Sequence, residues 1–389
     1  MRGDPAVREA ERRLRRLPDR PAPGEAEAAD RAWRVVEAAY SEHPPRAARR
    51  RAGWRLALAA AILAVGLAGA LTPAGAKVGE WIGDRLSTDS ETRVTAFAGL
   101  PKGGEVLAVS DGGAWVVYPD GAVQRVGSFS EAGWSPHGWH LVGVRGRRLE
   151  AVTPTGTVKW TRARPRVPHQ PAWSRGEGYR VAYLEEGTLR VVAGDGTDDR
   201  LVRRRVARVT PAWRTGYVLT YTTAAGKIET LNVDSRRRVW ARRVADRPSA
   251  LAWTNDGERL VALSTSGLSV YDRRGRRILS RRLSGTRALA LHPSGLRAAV
   301  TVAGRGGTRV LALPLTAAGP PRPLVTGLGR VEGIAWSPDG RRLLVASRDT
   351  DQWLLVGPGR RVRPLSGVSG ELGAGAGFPR VAGWCCPGR

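Results

Sequence analysis

The side chains that carry most enzymatic chemistry are sparse in this chain and poorly spaced for it. Its five histidines, His43, His137, His140, His169 and His292, fall into no HExxH or comparable metal-ligating pattern. The two cysteines, Cys385 and Cys386, are neighbours with no histidine close by, which makes an incomplete metal site. Their adjacency disfavours a mutual bridge and rules out a disulfide framework, so they read as inert or partly exposed thiols. No G-x-S-x-G nucleophile elbow occurs. Asp256 and Asp339 occupy matching positions in two turns; calcium needs several such oxygens on one loop, so backbone capping is the simpler role. The pattern assigns no catalytic residue, no cofactor and no metal, and it points away from an enzyme.

What recurs instead is a phrase. AWSPDGRRLLVA at Ala335–Ala346 returns as GWSPHGWHLVGV at Gly133–Val144, AWSRGEGYRVAYL at Ala172–Leu184, AWRTGYVLTY at Ala212–Tyr221, AWTNDGERLVAL at Ala252–Leu263 and ALHPSGLRAAV at Ala290–Val300. Its large apolar residue falls at Trp134, Trp173, Trp213, Trp253, Leu291 and Trp336, with gaps of 39, 40, 40, 38 and 45 residues. A period near 40 built from four short strands is one propeller blade. Each unit supplies an apolar strand ending at the Trp, a Pro/Asp/Gly turn, a hydrophobic strand and two more, exemplified by GLSVYD and RILSRRLS. Turns such as DRRGRR, TPTGTV and AGDGTD link the last two strands. One four-stranded sheet cannot bury both faces alone, so blades stack around an axis. Placed at the same phase in every unit, the Trp set is expected to pack between sheets as core.

A seventh unit precedes the marked six: VTAFAGL, GGEVLAVSDG, AWVVYPDG and AVQRVGSF give four strands between Val94 and Phe129. RVAGWCC at Arg380–Cys386 repeats a first strand, with Trp384 in the phase of the other tryptophans, and would hydrogen-bond into the N-terminal blade to close the ring. The expected fold is all-β, a propeller of seven blades over residues 94–389, with six or eight as alternatives. WSPDG at Trp336–Gly340, WSPHG at Trp134–Gly138 and WTNDG at Trp253–Gly257 resemble the repeat of the bacterial WD40-like, or TolB-like, propeller families. That resemblance implies a binding or scaffold platform and transfers no catalytic residue. The regular GH and WD signatures of true WD40 repeats are absent, with Tyr271–Asp272 the nearest match.

Upstream, Leu56–Ala76 carries no charge over 21 positions, about 31 Å as a helix, enough to span a hydrocarbon core. Arg46, Arg49, Arg50, Arg51 and Arg55 crowd its near side, so the positive-inside rule keeps 1–55 cytoplasmic and exports the propeller through a linker at 77–93. A signal peptide cleaved after Ala76, in the small-x-small AGA, is the competing reading. Within 1–55 the stretch 24–43 is a helix candidate, where Ala29, Trp33, Val36 and Tyr40 form a narrow apolar stripe suited to docking. The formal charge is +28, carried by 59 arginines and four lysines, and favours anionic partners. The sequence thus predicts a single-pass cell-membrane protein whose extracytoplasmic propeller binds another protein, an anionic envelope polymer or lipid headgroups. Nucleic acid is disfavoured, since acids interleave the arginines and no helix-turn-helix signal occurs. The alternatives are a transmembrane regulator with an anti-sigma-like layout and a propeller sensor, and an enzyme working in the channel.

Overall fold

The computed structural model describes residues 96–101, 103–176, 179–316, 319–373 and 377–386. The expected cytoplasmic helix at 24–43, the apolar segment 56–76, the linker 77–93 and the stripe Ala29, Trp33, Val36 and Tyr40 lie outside the described residues. Among those described, no helix is long and apolar enough to cross a membrane.

The described residues form seven four-stranded antiparallel sheets. Blade 1 contains β1 (Glu105–Ser110), β2 (Gly113–Val117) and β3 (Val123–Gly127). Blade 2 runs through β4 (Glu131–Trp134), β5 (Leu141–Arg145), β6 (Arg148–Val152) and β7 (Val158–Ala163). Blade 3 runs through β8 (His169–Trp173), β9 (Arg180–Glu185), β10 (Thr188–Ala193) and β11 (Arg200–Arg204). Blade 4 comprises β12 (Ala212–Trp213), β13 (Val218–Thr222), β14 (Ile228–Asn232) and β15 (Arg238–Arg242). Blade 5 comprises β16 (Ala250–Trp253), β17 (Arg259–Ser264), β18 (Gly267–Asp272) and β19 (Arg277–Arg282). Blade 6 holds β20 (Thr286–Leu291), β21 (Arg297–Gly304), β22 (Gly307–Pro314) and β23 (Arg322–Leu328). Blade 7 holds β24 (Val331–Trp336), β25 (Leu343–Ser347), β26 (Gln352–Val356) and β27 (Val362–Ser366). A single helical turn, α1 (Val368–Glu371), then leads to β28 (Arg380–Cys385), which pairs antiparallel with β1 and completes blade 1.

That closure corrects one sequence expectation. VTAFAGL is not the first strand of blade 1: its described part, residues 96–100, is a turn, with Leu100 N–H bonded to Phe97 O at 2.9 Å. Phe97 is fully buried beside the Trp353 ring, 5.0 Å between centroids, and works as a plug between blades 7 and 1. The innermost place belongs to β28, whose RVAGWC carries the repeat phase that VTAFAGL lacks.

The phrase that repeats has a simple physical reason. The second strand of each blade is covered on both sides, so period-2 alternation sends its residues to two different neighbours. In β25 every residue is buried: Leu343 and Val345 join the cluster shared with blade 6, while Leu344 and Ala346 join the one shared with blade 1. Seven such apolar clusters fill the seven interblade spaces. Because each blade is a meander, the turns linking first to second and third to fourth strands share one face of the ring, hereafter the turn face. Links from second to third strand and from blade to blade form the other, the crossover face.

Candidate functional site

The recurrent apolar residues sit one per interblade cluster. Trp134 packs between blades 1 and 2, Trp173 between 2 and 3, Trp213 between 3 and 4, and Trp253 between 4 and 5. Leu291 lies between blades 5 and 6, Trp336 between 6 and 7, and Trp384 between 7 and 1. Trp213 Nε1–H donates to Ala172 O at 2.9 Å, and Trp253 Nε1–H donates to Thr220 Oγ1 at 2.9 Å. Spread over seven interfaces, these residues do not converge on a common site.

The turn face does carry a convergent set. The residue that follows the turn glycine in blades 2 to 7 is Trp139, Tyr179, Tyr217, Glu258, Leu296 and Arg341 in turn. Three consecutive blades therefore hold an aromatic at one structural position, and all three are open to solvent: Trp139 57%, Tyr179 49% and Tyr217 48% exposed. His137 bridges the first two, its ring 5.8 Å from that of Trp139 and 6.2 Å from that of Tyr179. Arg175, on the same turn as Tyr179, reaches across the ring to blade 5, where it donates to Trp253 O at 3.1 Å and Asn255 Oδ1 at 2.8 Å. Protein atoms crowd its guanidinium, and that desolvation pulls its pKa below the ordinary arginine value, although solvent still reaches the side chain.

These turns are fixed to one another. Arg180 donates to Gly216 O at 2.9 Å, Arg214 to Gly257 O at 2.9 Å and Asn255 Nδ2 to Pro293 O at 3.1 Å, each tying one blade's turn to the next. His292 continues the series. Its Nδ1 accepts from Ser294, leaving Nε2–H to donate to Gly340 O at 2.9 Å, while its ring meets Trp336 edge-on at 4.8 Å. Burial lowers the pKa of this imidazole, and nearby Arg297 lowers it further against the opposing effect of the Gly340 bond. Gly340 has φ of +69° and a Cβ there would strike the His292 ring, so the turn requires glycine on two counts. Asp339 caps the same turn: Ser337 Oγ–H and Arg341 N–H donate to its carboxylate and hold its pKa below the usual range. Asp256 does the equivalent for Glu258 N–H at 3.0 Å.

The cysteines differ from expectation. They are not free thiols but are bonded to each other, where the chain leaves β28 with Cys386 in a left-handed conformation, φ 59°. The pair joins no distant segments. Its sulfurs lie 3.8 Å from Ser135 O and 3.7 Å from Pro136 O, against the turn that bears His137 and Trp139. Among the described residues no group of His, Cys, Asp and Glu is arranged to hold a metal ion.

The crossover face is built differently. Where blades 2, 3 and 4 meet, a concavity of 530 Å³ is lined by Arg147, Arg166, His169 and Arg208, with Glu186 and an apolar wall that includes Val167. Arg208 Nη2–H donates to His169 Nδ1 at 3.0 Å. Glu131 Oε1 stands 3.3 Å from that same nitrogen. Beneath the rim lies a largely buried ionic cluster: Arg164 donates to Glu185 at 2.7 Å and Asp199 at 2.8 Å, and Tyr183 O–H donates to Asp199. Burial, reinforced by the Asp199 carboxylate, pushes the Tyr183 phenol well above its normal pKa, so it stays a donor.

The sequence reading singled out neither the aromatic arc nor this concavity, although His137 and His169 figured in it. The arc had a legible signal, the residue after each turn glycine. The concavity had none, because its residues come from links of unequal length.

No family model matches the chain, and no curated protein matches its sequence. Solved structures do match. A candidate 6-phosphogluconolactonase of Bacteroides uniformis is 16% identical with a TM-score of 0.52, covering 68% of this chain and 95% of that one. Another, from Bacteroides fragilis, is 15% identical with a TM-score of 0.50, covering 68% and 94%. A chain of the mitotic checkpoint complex is 16% identical with a TM-score of 0.50, covering 59% and 74%. At such identities the shared property is architecture: the chain contains a seven-bladed β-propeller, a scaffold on which binding surfaces and enzymes have both been built.

Proposed function

We propose that this propeller is a binding module, not an enzyme, and that it holds a protein partner on its turn face through Trp139, Tyr179 and Tyr217. The observation that carries the reading is the repetition of an exposed aromatic at one position in three adjacent blades. Exposed aromatics next to arginine are the residues most enriched at protein-interface hot spots, and a lone exposed apolar residue would need no such account. Bonds from blade to blade keep the turns in place, so little ordering cost falls due on binding. The repeat phrases support a place among TolB-like propellers. The charge-free segment 56–76 with its arginine flank supports a membrane tether that leaves the propeller outside the cytoplasm.

The test is a photo-crosslinking amino acid placed at Trp139 in the full chain, in native membranes, with Val239 on the outer strand β15 as the exposed control. A discrete protein adduct from position 139 and none from 239 is the expected result. Equal adducts from both positions, or a heterogeneous polymer smear, would overturn it, the latter in favour of an envelope polymer.

A further inference from the structure

Arginine is so abundant in this chain that its presence on a surface means little. Its convergence in a concavity is another matter. The three arginines lining the crossover-face cavity come from three separate links: Arg147 between β5 and β6, Arg166 between β7 and β8, and Arg208 between β11 and β12. Arg147 has no side-chain partner among the described residues. Arg166 meets Glu186 at 3.3 Å in a pair that is more than half exposed on both sides, an arrangement of little energetic weight. Arg208 donates to the His169 imidazole and lies 3.9 Å from Glu131. Positive charge is thus held in excess within one cavity and only partly neutralised.

The walls are made of loops that are hydrogen-bonded to one another and to the strands. Arg166 N–H donates to buried Glu185 at 3.1 Å, and Arg164 N–H donates to Arg147 O at 2.8 Å. Val206 N–H donates to Gly187 O at 2.8 Å, which seats the chain just before Arg208. Pro165, Val167, Leu184 and Val206 add an apolar surface beside the cations. A planar carboxylate is satisfied by one guanidinium gripping it in bidentate fashion. Several arginines from separate links around one concavity suit a tetrahedral anion with more than one charge.

We infer that this cavity is a binding site for a phosphomonoester, the phosphoryl group held between Arg147, Arg166 and Arg208 and an apolar or ring-shaped body resting on the Val167 wall. The volume lies within the range of small-molecule sites. The inference concerns the face opposite the aromatic arc and stands or falls independently of the protein-partner reading.

Titration calorimetry on the full chain in detergent, at constant ionic strength, tests it with three probes: inorganic phosphate, phenyl phosphate and benzoate. Phenyl phosphate should bind saturably, more tightly than phosphate and than benzoate. Arg147→Ala and Arg208→Ala should each weaken it by about tenfold or more, the usual scale for losing a hydrogen bond to a charged group. Arg147→Lys should retain part of the affinity, and Arg341→Ala on the turn face should change nothing. Absence of saturable binding, or equal weakening by Arg341→Ala, would overturn the site in favour of a diffuse field. Benzoate binding as tightly as phenyl phosphate would overturn the phosphoryl assignment. Arg147 makes no side-chain contact that the fold depends on, so its variants report on the site and not on stability.

Discussion

The two faces of this ring are made by the same strands and yet present opposite chemistry. On the turn face the links between first and second strands are short and differ by only a residue or two, and the position just before the second strand recurs from blade to blade; in blades 2, 3 and 4 it holds Trp139, Tyr179 and Tyr217. On the crossover face the links between blades 2, 3 and 4 differ in length and sequence, and their residues line the cavity. Recurrence of one position placed three exposed aromatics on adjacent blades. The crossover links, which share no such position, gather arginines around a concavity. A propeller can thus carry a surface for a macromolecule and a site for a small anion without either constraining the other.

The largest effect should come from striking what both faces share. Trp253→Ala removes a fully buried ring and its bond to Thr220, and should cost about 3–5 kcal/mol in denaturant unfolding, weakening both binding activities through loss of folded protein. If one activity survived at full strength in the destabilised protein, its face would fold independently of the ring. Next, Trp139→Ala combined with Tyr179→Ala should lower partner affinity by about 2 kcal/mol, roughly thirtyfold, measured as the partner concentration needed for half-maximal binding. Phenyl phosphate binding and the unfolding midpoint should not move; a parallel loss of phosphate binding would erase the separation of the faces.

A third test uses pH. The folded environment lowers the pKa of His292 from its ordinary value of 6.5, so the unfolded chain takes up the proton first. Stability from this group is therefore complete above pH 6.5 and declines as pH falls below it. The denaturation midpoint should drop on acidification, and His292→Gln should flatten that part of the profile. An unchanged profile would show that the turn of blade 7 does not depend on the neutral ring. The smallest effect is expected at Asp339→Ala, about 1 kcal/mol of stability for the lost turn cap, with partner binding intact. Loss of partner binding there would extend the interface to blade 7.

Much of the architecture could be read from residues alone, and for a definite reason. A Trp at fixed phase and a turn ending in glycine report on packing that every blade must repeat, so six copies of one phrase specify strand order, and Trp384 betrays the closing strand. VTAFAGL misled because its apolar pattern suits a strand, whereas Phe97 is spent as a plug. The cysteine pair misled because adjacency argues against bonding in a regular strand, and Cys386 has already left β28. Trp139, Tyr179 and Tyr217 were visible in phase but were masked by the stronger tryptophan signal beside them. The cavity could not be read, because Arg147, Arg166 and Arg208 share no spacing and meet only through tertiary structure.

The pairing of β1 with β28 also has a temporal side. A ribosome delivers β1 early and residues 380–385 only after all the other blades. During synthesis, blade 1 therefore presents an unfilled edge, a place where a chaperone or a second nascent chain can add a strand. Every truncated product lacking residues 380–385 keeps that edge open permanently. Ring closure is thus the final event available to the polypeptide: only chains made through residues 380–385 can fill that edge from within.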